Sequence, residues 1–203
     1  MDRIVNREAL EQVRETSKAQ IENSRCRILI CAGTGCLAGG SGQIYERMCE
    51  LVKEHPDVEV HFGPEIAHGD GEIGVKKSGC HGFCEMGPLM RIEPQGILYT
   101  KVKPEDCDEI FHRTIEKGDV IRHLLFKQDG IEYRKQEEIP FYKKQTRNVL
   151  RNCGHIDAEH IQEYISTGGY KALEKALFEM KPEDVIKEVS ASNLRARGGG
   201  AFP

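Results

Sequence analysis

Two loosely spaced pairs of cysteines have the residue type and the number needed to bind a metal centre. Cys31 and Cys36 enclose four residues in “CAGTGC”, and Cys80 and Cys84 enclose three in “CHGFC”. Structural zinc sites usually place two residues between paired cysteines, thioredoxin-type redox pairs are C-x-x-C, and plant-type ferredoxins keep three cysteines in one loop. Neither pair has these spacings. A [2Fe–2S] cluster requires four thiolates, two for each iron, and two separated pairs can supply them.

The residues around both pairs suit a cluster of this size. Glycines such as Gly33 and Gly82 permit tight turns and close backbone approach, while Leu37 and Phe83 can shield a cluster from water. Each pair also follows a predicted strand, so the two loops can meet at one end of a sheet. We therefore predict that a [2Fe–2S] cluster is bound by Cys31, Cys36, Cys80 and Cys84. The alternative is two unrelated pairs of buried free cysteine.

The other cysteines and the polar residues beside the pairs have patterns that favour supporting roles. Three cysteines fall on predicted helix or strand faces, where packing is the default: Cys26, Cys49 and Cys107. Cys153, in “RNCGHID”, has no evident partner. Because four thiolates complete the ligand set, we expect His81 and Glu85 to support the ligands or to face solvent.

Hydrophobic periodicity predicts the elements that must position these loops. A polar helix over residues 6–22 precedes “CRILIC”, a short apolar run typical of a buried strand. An amphipathic helix with its N-cap at Ser41 follows, and “VEVHF” alternates as a half-buried strand does. “LMRIE”, “PQG” and “ILYTKV” predict a β-hairpin. A helix starting at Pro104 completes the order β-α-β-β-β-α over residues 25–118.

After residue 118 the pattern changes. Residues 119–150 are mixed and polar, with one hairpin-like “DG”, and are predicted to be a linker or an extended arm. Three helices follow, the first capped by Asp157 and the third with Pro182 at its first position. The chain then enters “RARGGGAFP”, and such glycine-rich loops bind phosphate when a helix N-terminus follows them. We therefore expect the front part of a longer protein, the alternative being a flexible glycine tail.

Composition excludes several classes of protein. The net charge of −4 and the pI near 6.1 argue against nucleic acid or an anionic membrane as the main partner. The start, “MDRIVNREALEQVRE”, is charged throughout, unlike a signal peptide, and no run approaches the roughly 20 apolar residues of a membrane span. We expect a cytoplasmic protein without membrane insertion, whose eight cysteines are ligands or free thiols rather than disulfides.

The arrangement C-x4-C … C-x3-C, with “GTGC” and “GCHGFCEMGP”, resembles the thioredoxin-like [2Fe–2S] ferredoxins. That family includes the small iron–sulfur subunit of respiratory complex I. The resemblance covers residues 25–118, and it implies a thioredoxin-like fold of the α/β class with the cluster bound by the loops after two strands.

The remainder resembles the beginning of the NADH-binding flavoprotein subunit of complex I, through “PFYKKQTRNVLRNCGHIDAEHIQEYISTGGYKALEKAL” and “SNLRARGGGAFP”. The same joined order occurs in the diaphorase subunits of NAD(P)-linked hydrogenases and formate dehydrogenases. In that family the stretch G-R-G-G-A-G-F-P lines the FMN and NADH site. The resemblance implies that this site begins with Arg197, Gly198, Gly199 and Gly200. Two glycines of the pattern are alanine here, at Ala196 and Ala201, and their methyl groups would oppose close approach of a cofactor.

The resemblances together imply four parts: an N-terminal helix (1–24), a thioredoxin-like [2Fe–2S] ferredoxin domain (25–118), a linker or extended arm (119–150) and the helical start of an NADH/FMN-binding domain (151–203). The implied function is electron transfer in an NAD(P)H:acceptor oxidoreductase, with FMN and NAD(P)H in the complete subunit. Its implied partners are other iron–sulfur, hydrogenase or dehydrogenase subunits. We expect this chain alone to be inactive toward NAD(P)H, and we assign no catalytic residue to it. The alternative is a non-catalytic [2Fe–2S] carrier whose C-terminal helices only dock a partner.

Overall fold

A mixed four-stranded sheet lies at the centre of the fold. A computed structural model describes residues 3–62, 65–66 and 72–195. The strands are β1 (Cys26–Cys31), β2 (His61–Phe62), β3 (Glu65–Ile66), β4 (Ile73–Ser78), β5 (Met90–Glu93), β6 (Ile97–Tyr99), β7 (Phe126–Gln128) and β8 (Ile131–Tyr133). The central sheet has the order β4-β1-β5-β6, with β4 parallel to β1 and the other two pairings antiparallel. The mixed sheet and its helices confirm the predicted α/β class.

Helices precede, cover and follow this sheet. They are α1 (Arg7–Asn23), α2 (Thr34–Ala38), α3 (Ser41–Glu54), α4 (Cys107–Glu109), α5 (Pro140–Lys143), α6 (Ile161–Ser166), α7 (Lys171–Glu179) and α8 (Pro182–Ala191). A 3-10 turn, Pro104–Asp106, leads into α4, and a π-helical stretch, Ile110–Ile115, continues it, so three segments make up the helix predicted to start at Pro104. Further 3-10 turns span Cys84–Met86, Arg122–Leu124 and Gln136–Glu138. Within the described ranges, every helix is too short or too polar to cross a membrane.

The second strand of the sheet lies later in the chain than predicted. Of the run “VEVHF”, only His61–Phe62 is a strand, and it pairs with Glu65–Ile66 in a separate hairpin. The strand beside β1 is instead β4, “IGVKKS”, which is buried at both ends and half-buried between them. A short alternating pattern shows that a run can form a strand, but it does not show which run pairs with a distant partner.

Both faces of β1 are buried, as its continuous apolar run predicts. On one face, Ile28 belongs to a core that includes Ile44 of α3 and Phe111 of the helical stretch after α4. On the opposite face, Leu98 of β6 belongs to a second apolar cluster with Ile139. Helices therefore cover one face of the sheet, and chain from beyond residue 119 covers part of the other.

Residues 119–142, within the predicted linker or arm, remain in contact with the sheet. Ile121 is fully buried in the main core. The Leu98 backbone N–H donates to the Arg134 carbonyl at 2.9 Å, and the Arg91 guanidinium pairs with Glu137 at 2.7 Å. This stretch therefore contributes to the fold of the domain that precedes it.

Two local predictions in the second half have opposite outcomes. Asp129 and Gly130 have φ angles of 53° and 78° in the turn of the β7–β8 hairpin, which the “DG” dipeptide indicates. Asp157, in contrast, does not cap a helix, because α6 begins only at Ile161. Its carboxylate instead lies 3.8 Å from the ammonium of Lys76 in β4. This ion pair connects the chain around Asp157 to the sheet.

The three C-terminal helices differ in how they pack. In α6, Glu163 is buried and forms an ion pair with Arg27 of β1 at 2.6 Å. Neither α7 nor α8 has a buried residue in the part of the chain that the structure describes. Apolar side chains on both helices are well exposed, among them Leu177 and Ile186. The segment after residue 150 therefore divides into a part attached to the sheet and a part that contributes little to its core.

We expect limited trypsin digestion to cut first between Lys143 and Arg151, both of which are exposed. Proteases need an accessible backbone that is not held in regular pairing, and such a run lies directly after the buried Tyr142. Lys127 is held within the β7–β8 hairpin and should be cut later. Mass spectrometry of the earliest products tests this order. First cleavage after Lys127 would show that residues 119–142 are not held against the sheet.

Candidate metal centre

The parallel pairing of β1 with β4 brings the two cysteine pairs together. Cys31, the last residue of β1, lies opposite Ser78, the last residue of β4. The Ala32 backbone N–H donates to the Ser78 carbonyl at 2.9 Å, which extends the pairing one residue further. Cys80 follows two residues after Ser78. Because parallel strands end at the same edge of a sheet, the loops that carry both pairs start side by side.

The four predicted ligands lie in one site. The Sγ atoms of Cys80 and Cys84 are 4.0 Å apart, and the Cys31 thiol lies close enough to Cys36 and Cys80 for both to affect its pKa. The first loop also packs directly on the second, since a Cβ atom at Gly33 would lie 3.2 Å from the Cys80 Sγ. Only glycine leaves room for this approach without displacing the sulfur.

The site has a buried side and a solvent side. Cys31 and Cys36 are 0% and 1% exposed, whereas Cys80 and Cys84 are exposed. The buried pair comes from the end of β1 and from α2, and the exposed pair comes from the loop after β4. One half of any bound group would therefore be shielded from water, and the other half would lie at the protein surface.

The thiols of the buried pair are electrostatically coupled. A hydrogen bond with Cys36, followed by the backbone N–H groups of His81 and Gly33, lowers the pKa of Cys31 to about 6, although burial opposes this shift. The hydrogen bond with Cys31 and burial raise the pKa of Cys36, and burial raises the pKa of Cys80. The buried pair thus favours one thiolate. Because metals bind thiolates, the other thiols would release protons when a metal binds.

This donor set has the composition that a two-iron cluster needs. In a [2Fe–2S] cluster each iron needs only two thiolates, because two bridging sulfides complete its coordination. Two thiol pairs in one site match this requirement.

His81, between two of the predicted ligands, is fully buried and supports their loop. Its Nδ1 lies 3.0 Å from the Gln136 Oε1, and its Nε2 lies 2.9 Å from the Ser78 Oγ. An amide oxygen only accepts, so Nδ1 carries the proton, and Nε2 accepts from the Ser78 hydroxyl. Burial lowers the pKa of His81 to about 4, which keeps the ring neutral. Both nitrogens are thus engaged in the protein, while Glu85 is exposed.

An aromatic group that the sequence did not predict covers the second loop. The rings of Phe83 and Phe141 stack with centroids 4.6 Å apart, and Phe126 and Tyr142 contact Phe83 edge-on at 5.3 and 5.6 Å. Tyr142 belongs to the same apolar cluster as Cys31. Three of these rings come from residues 119–150, where “PFYKKQ” carries no pattern that indicates a metal site. Only the folded chain identifies them, and the same holds for Gln136.

The remaining predicted residues lie elsewhere. Cys26 and Cys107 are buried in the main core, and Cys49 is half-buried on α3. The Cys153 Sγ would lie 3.7 Å from a Cβ at Gly79, so Cys153 borders the second loop without joining the four sulfurs. The residues predicted to begin an FMN and NADH site lie outside the described residues: Arg197, Gly198, Gly199 and Gly200.

Comparison with known proteins adds independent observations. A protein-family model described as thioredoxin-like [2Fe-2S] ferredoxin matches residues 18–114. A 2Fe-2S ferredoxin of Clostridium pasteurianum is 31% identical over 104 residues, which cover 50% of this chain and 96% of that protein. The HndC subunit of an NADP-reducing hydrogenase of Solidesulfovibrio fructosivorans is 51% identical over 61 residues, 30% of this chain. An NADH-quinone oxidoreductase subunit of Aquifex aeolicus is 48% identical over 63 residues, also 30% of this chain.

The matches differ in how much of each relative they include. They cover almost the whole of the clostridial ferredoxin, but only 12% of HndC and 15% of the quinone oxidoreductase subunit. The relation to the small ferredoxin therefore concerns a complete protein, whereas the relation to the two oxidoreductase subunits concerns a short part of each.

We expect Gly87→Ala to lower the metal content of the purified chain. A Cβ atom at Gly87 would lie 2.7 Å from the Cys36 Sγ and 3.2 Å from the Cys84 carbonyl oxygen, so the sulfur would have to move. Overpacking of this kind costs about 1–3 kcal/mol, enough to reduce binding several-fold. Iron and acid-labile sulfide assays, normalised to protein, measure the effect.

Gly42→Ala is the matched control, because it lies in α3 with nothing within 4 Å of the added Cβ. It should retain the metal and should not lower the free energy of unfolding, since alanine favours a helix over glycine. Equal metal content in the two variants would contradict the close packing of Gly87 on Cys36.

Proposed function

We propose that this chain, which belongs to the thioredoxin-like [2Fe–2S] ferredoxin family, carries single electrons on a [2Fe–2S] cluster bound by Cys31, Cys36, Cys80 and Cys84. The observation that carries the proposal is the meeting of two cysteine pairs where β1 and β4 end, because four thiols in two pairs are the donors such a cluster needs. When bound, a [2Fe–2S] cluster supplies reversible one-electron transfer.

Groups of the protein itself stabilise charge on the sulfurs and control how far water and a redox partner can approach. Backbone N–H groups stabilise negative charge on the sulfurs, as the Gly82 N–H does at 3.3 Å from the Cys80 Sγ. Phe83, which packs in one apolar cluster with Cys31 and Cys36, helps to exclude water from the buried side. The exposed Cys80 and Cys84 place the other side at the surface, where a redox partner can approach.

We further propose that this domain acts within an NAD(P)H:acceptor oxidoreductase of the NADH dehydrogenase or hydrogenase diaphorase type. The similarity to HndC and to the quinone oxidoreductase subunit supports this context. FMN and NAD(P)H would bind in the complete subunit, whose site would begin at residues 197–200. The partners would be other iron–sulfur, hydrogenase or dehydrogenase subunits, in the cytoplasm. The alternative of a free-standing carrier gains no better support from the comparisons.

The proposed division of the chain places the ferredoxin domain at residues 25–118, after the N-terminal helix of residues 1–24. Residues 119–150 act as an arm laid against that domain, supported by the burial of Ile139 and Tyr142. Residues 151–203 begin the NADH/FMN-binding domain. The lack of buried side chains in the described α7 and α8 supports a separate unit that includes these two helices, whereas α6 stays attached to the sheet through Glu163.

The first test of this function is the metal content. The purified chain should be red-brown and contain about two irons, as a cluster held by four thiolates requires. Cys36→Ser and Cys80→Ser should each bleach the visible spectrum or shift it, because each removes a proposed ligand. Cys49→Ser, on α3 outside the site, should leave it unchanged. One zinc per chain in place of iron would contradict the cluster.

The second test concerns hydride transfer. We expect the 203-residue chain to show no NADH or NADPH oxidation with dye acceptors, even with FMN added, while dithionite reduces its cluster. Hydride transfer needs a nicotinamide held against the flavin, and these residues include one loop of the implied pocket, with Ala196 and Ala201 in place of glycine. FMN-dependent turnover that is abolished by truncation at residue 150 would overturn this expectation.

A further inference from the structure

We propose that the Tyr142 hydroxyl donates a hydrogen bond to a sulfur of the [2Fe–2S] cluster, an inference that rests on the proposed cluster site. Tyr142 lies outside residues 18–114, which match the ferredoxin family. The donor would therefore come from the arm and not from the ferredoxin domain itself.

The starting observation is a buried polar atom without a partner. The Tyr142 side chain is 6% exposed, and its hydroxyl oxygen is buried with no hydrogen-bond partner among the described residues. Buried hydroxyls in folded proteins nearly always find an acceptor, because leaving one unpaired forfeits the hydrogen bond it made with water. The unpaired Tyr142 hydroxyl therefore indicates that a bound group accepts its hydrogen bond.

The surroundings of Tyr142 limit what that acceptor can be. The side chains that share its apolar cluster include Leu89, Leu98 and Ile139, none of which has a polar side-chain atom. The cluster also includes two of the four proposed ligands, Cys31 and Cys36. Among the other buried side chains of this cluster, the two cysteine sulfurs are the hydrogen-bond acceptors. A phenol is protonated at neutral pH and can therefore donate a hydrogen bond to such a sulfur.

The ring is held firmly enough for a directed hydrogen bond. Pro140 starts α5, and the Tyr142 backbone N–H donates to the Ile139 carbonyl at 2.9 Å. One side of the ring packs edge-on against Phe83 at 5.6 Å, and the Arg147 guanidinium lies 5.9 Å from its centroid. Because these contacts fix the ring, its hydroxyl can keep one direction toward an acceptor, which a mobile tyrosine at the surface cannot do.

The expected consequence is a higher reduction potential. Reduction adds a negative charge to the cluster, and a donor aimed at sulfur stabilises the more negative state more strongly. The arm would then adjust the potential of a cluster whose ligands all come from the ferredoxin domain.

The test is a redox titration, followed by EPR, of Tyr142→Phe in the full chain. We expect the equilibrium constant for one-electron reduction to fall about tenfold, which corresponds to about 59 mV for a one-electron couple. Tyr133→Phe is the matched control, since this half-buried ring lies on the same arm against the same apolar cluster. It should leave the potential unchanged.

A second measurement starts from the wild-type chain, so its main result does not depend on how the variant folds. Replacing all tyrosine in the wild-type chain by 3-fluorotyrosine makes the phenol more acidic and a stronger donor, so the potential should rise. This rise should be absent from labelled Tyr142→Phe. A purely structural role for the ring would not produce shifts of opposite sign in the two experiments.

The outcomes separate this inference from the function on which it rests. If the wild-type chain binds no iron, the proposed cluster is wrong. If it binds about two irons and neither Tyr142→Phe nor fluorination shifts the potential, the cluster stands and the hydrogen bond from Tyr142 is overturned. A potential that shifts equally in Tyr133→Phe would also overturn it, because the effect would then not be specific to Tyr142.

Discussion

The metal centre depends on one pairing, that of β1 with β4 in parallel. Cys31 ends the first strand opposite Ser78, and the second cysteine pair follows within two residues. A slip of two residues would move the second loop by roughly 6.6 Å, at about 3.3 Å per residue, and would carry Cys80 and Cys84 away from the first pair. A slip of one residue would turn every side chain of β4 to the other face. Burial of Ile73 and Ser78 at the two ends of β4 opposes such slips, because a shifted strand would place other side chains at these buried positions.

The same sheet explains why the chain after residue 119 matters to the site. One face of β1 is sealed by α3 and by the helix that starts at Pro104, but the other face needs a separate cover. The arm supplies part of that cover, and in doing so brings Gln136 to His81 and Phe141 to Phe83. Further along, Glu163 pairs with Arg27, and both side chains are nearly buried. Removing one partner of such a pair costs about 3–5 kcal/mol, so this contact holds α6 to the sheet.

The polar groups around the four sulfurs are arranged so that charge is stabilised on one side and water can reach the other. A hydrogen bond with the Cys36 thiol, followed by backbone N–H groups, lowers the pKa of the buried Cys31 to about 6, whereas the exposed loop carries Cys80 and Cys84. His81 does not take part as a ligand in this arrangement. Its ring is neutral, and both of its nitrogens bond to Ser78 and Gln136, which fix the loop that carries the second pair. Rigid support of this kind keeps ligands in place before a metal binds.

The sequence by itself determined the chemistry of the site and several local elements. Residue type and spacing alone identified the two cysteine pairs, the buried strand β1 and the turn at Asp129, because each of these depends on neighbouring residues. Only the tertiary structure decided that β4 and not “VEVHF” lies beside β1, that Asp157 binds Lys76 instead of capping a helix, and that an arm covers the site. The physical reason is distance along the chain. The contact between His81 and Gln136 spans 55 residues, and no local pattern of hydrophobicity or turn chemistry encodes a partner so far away.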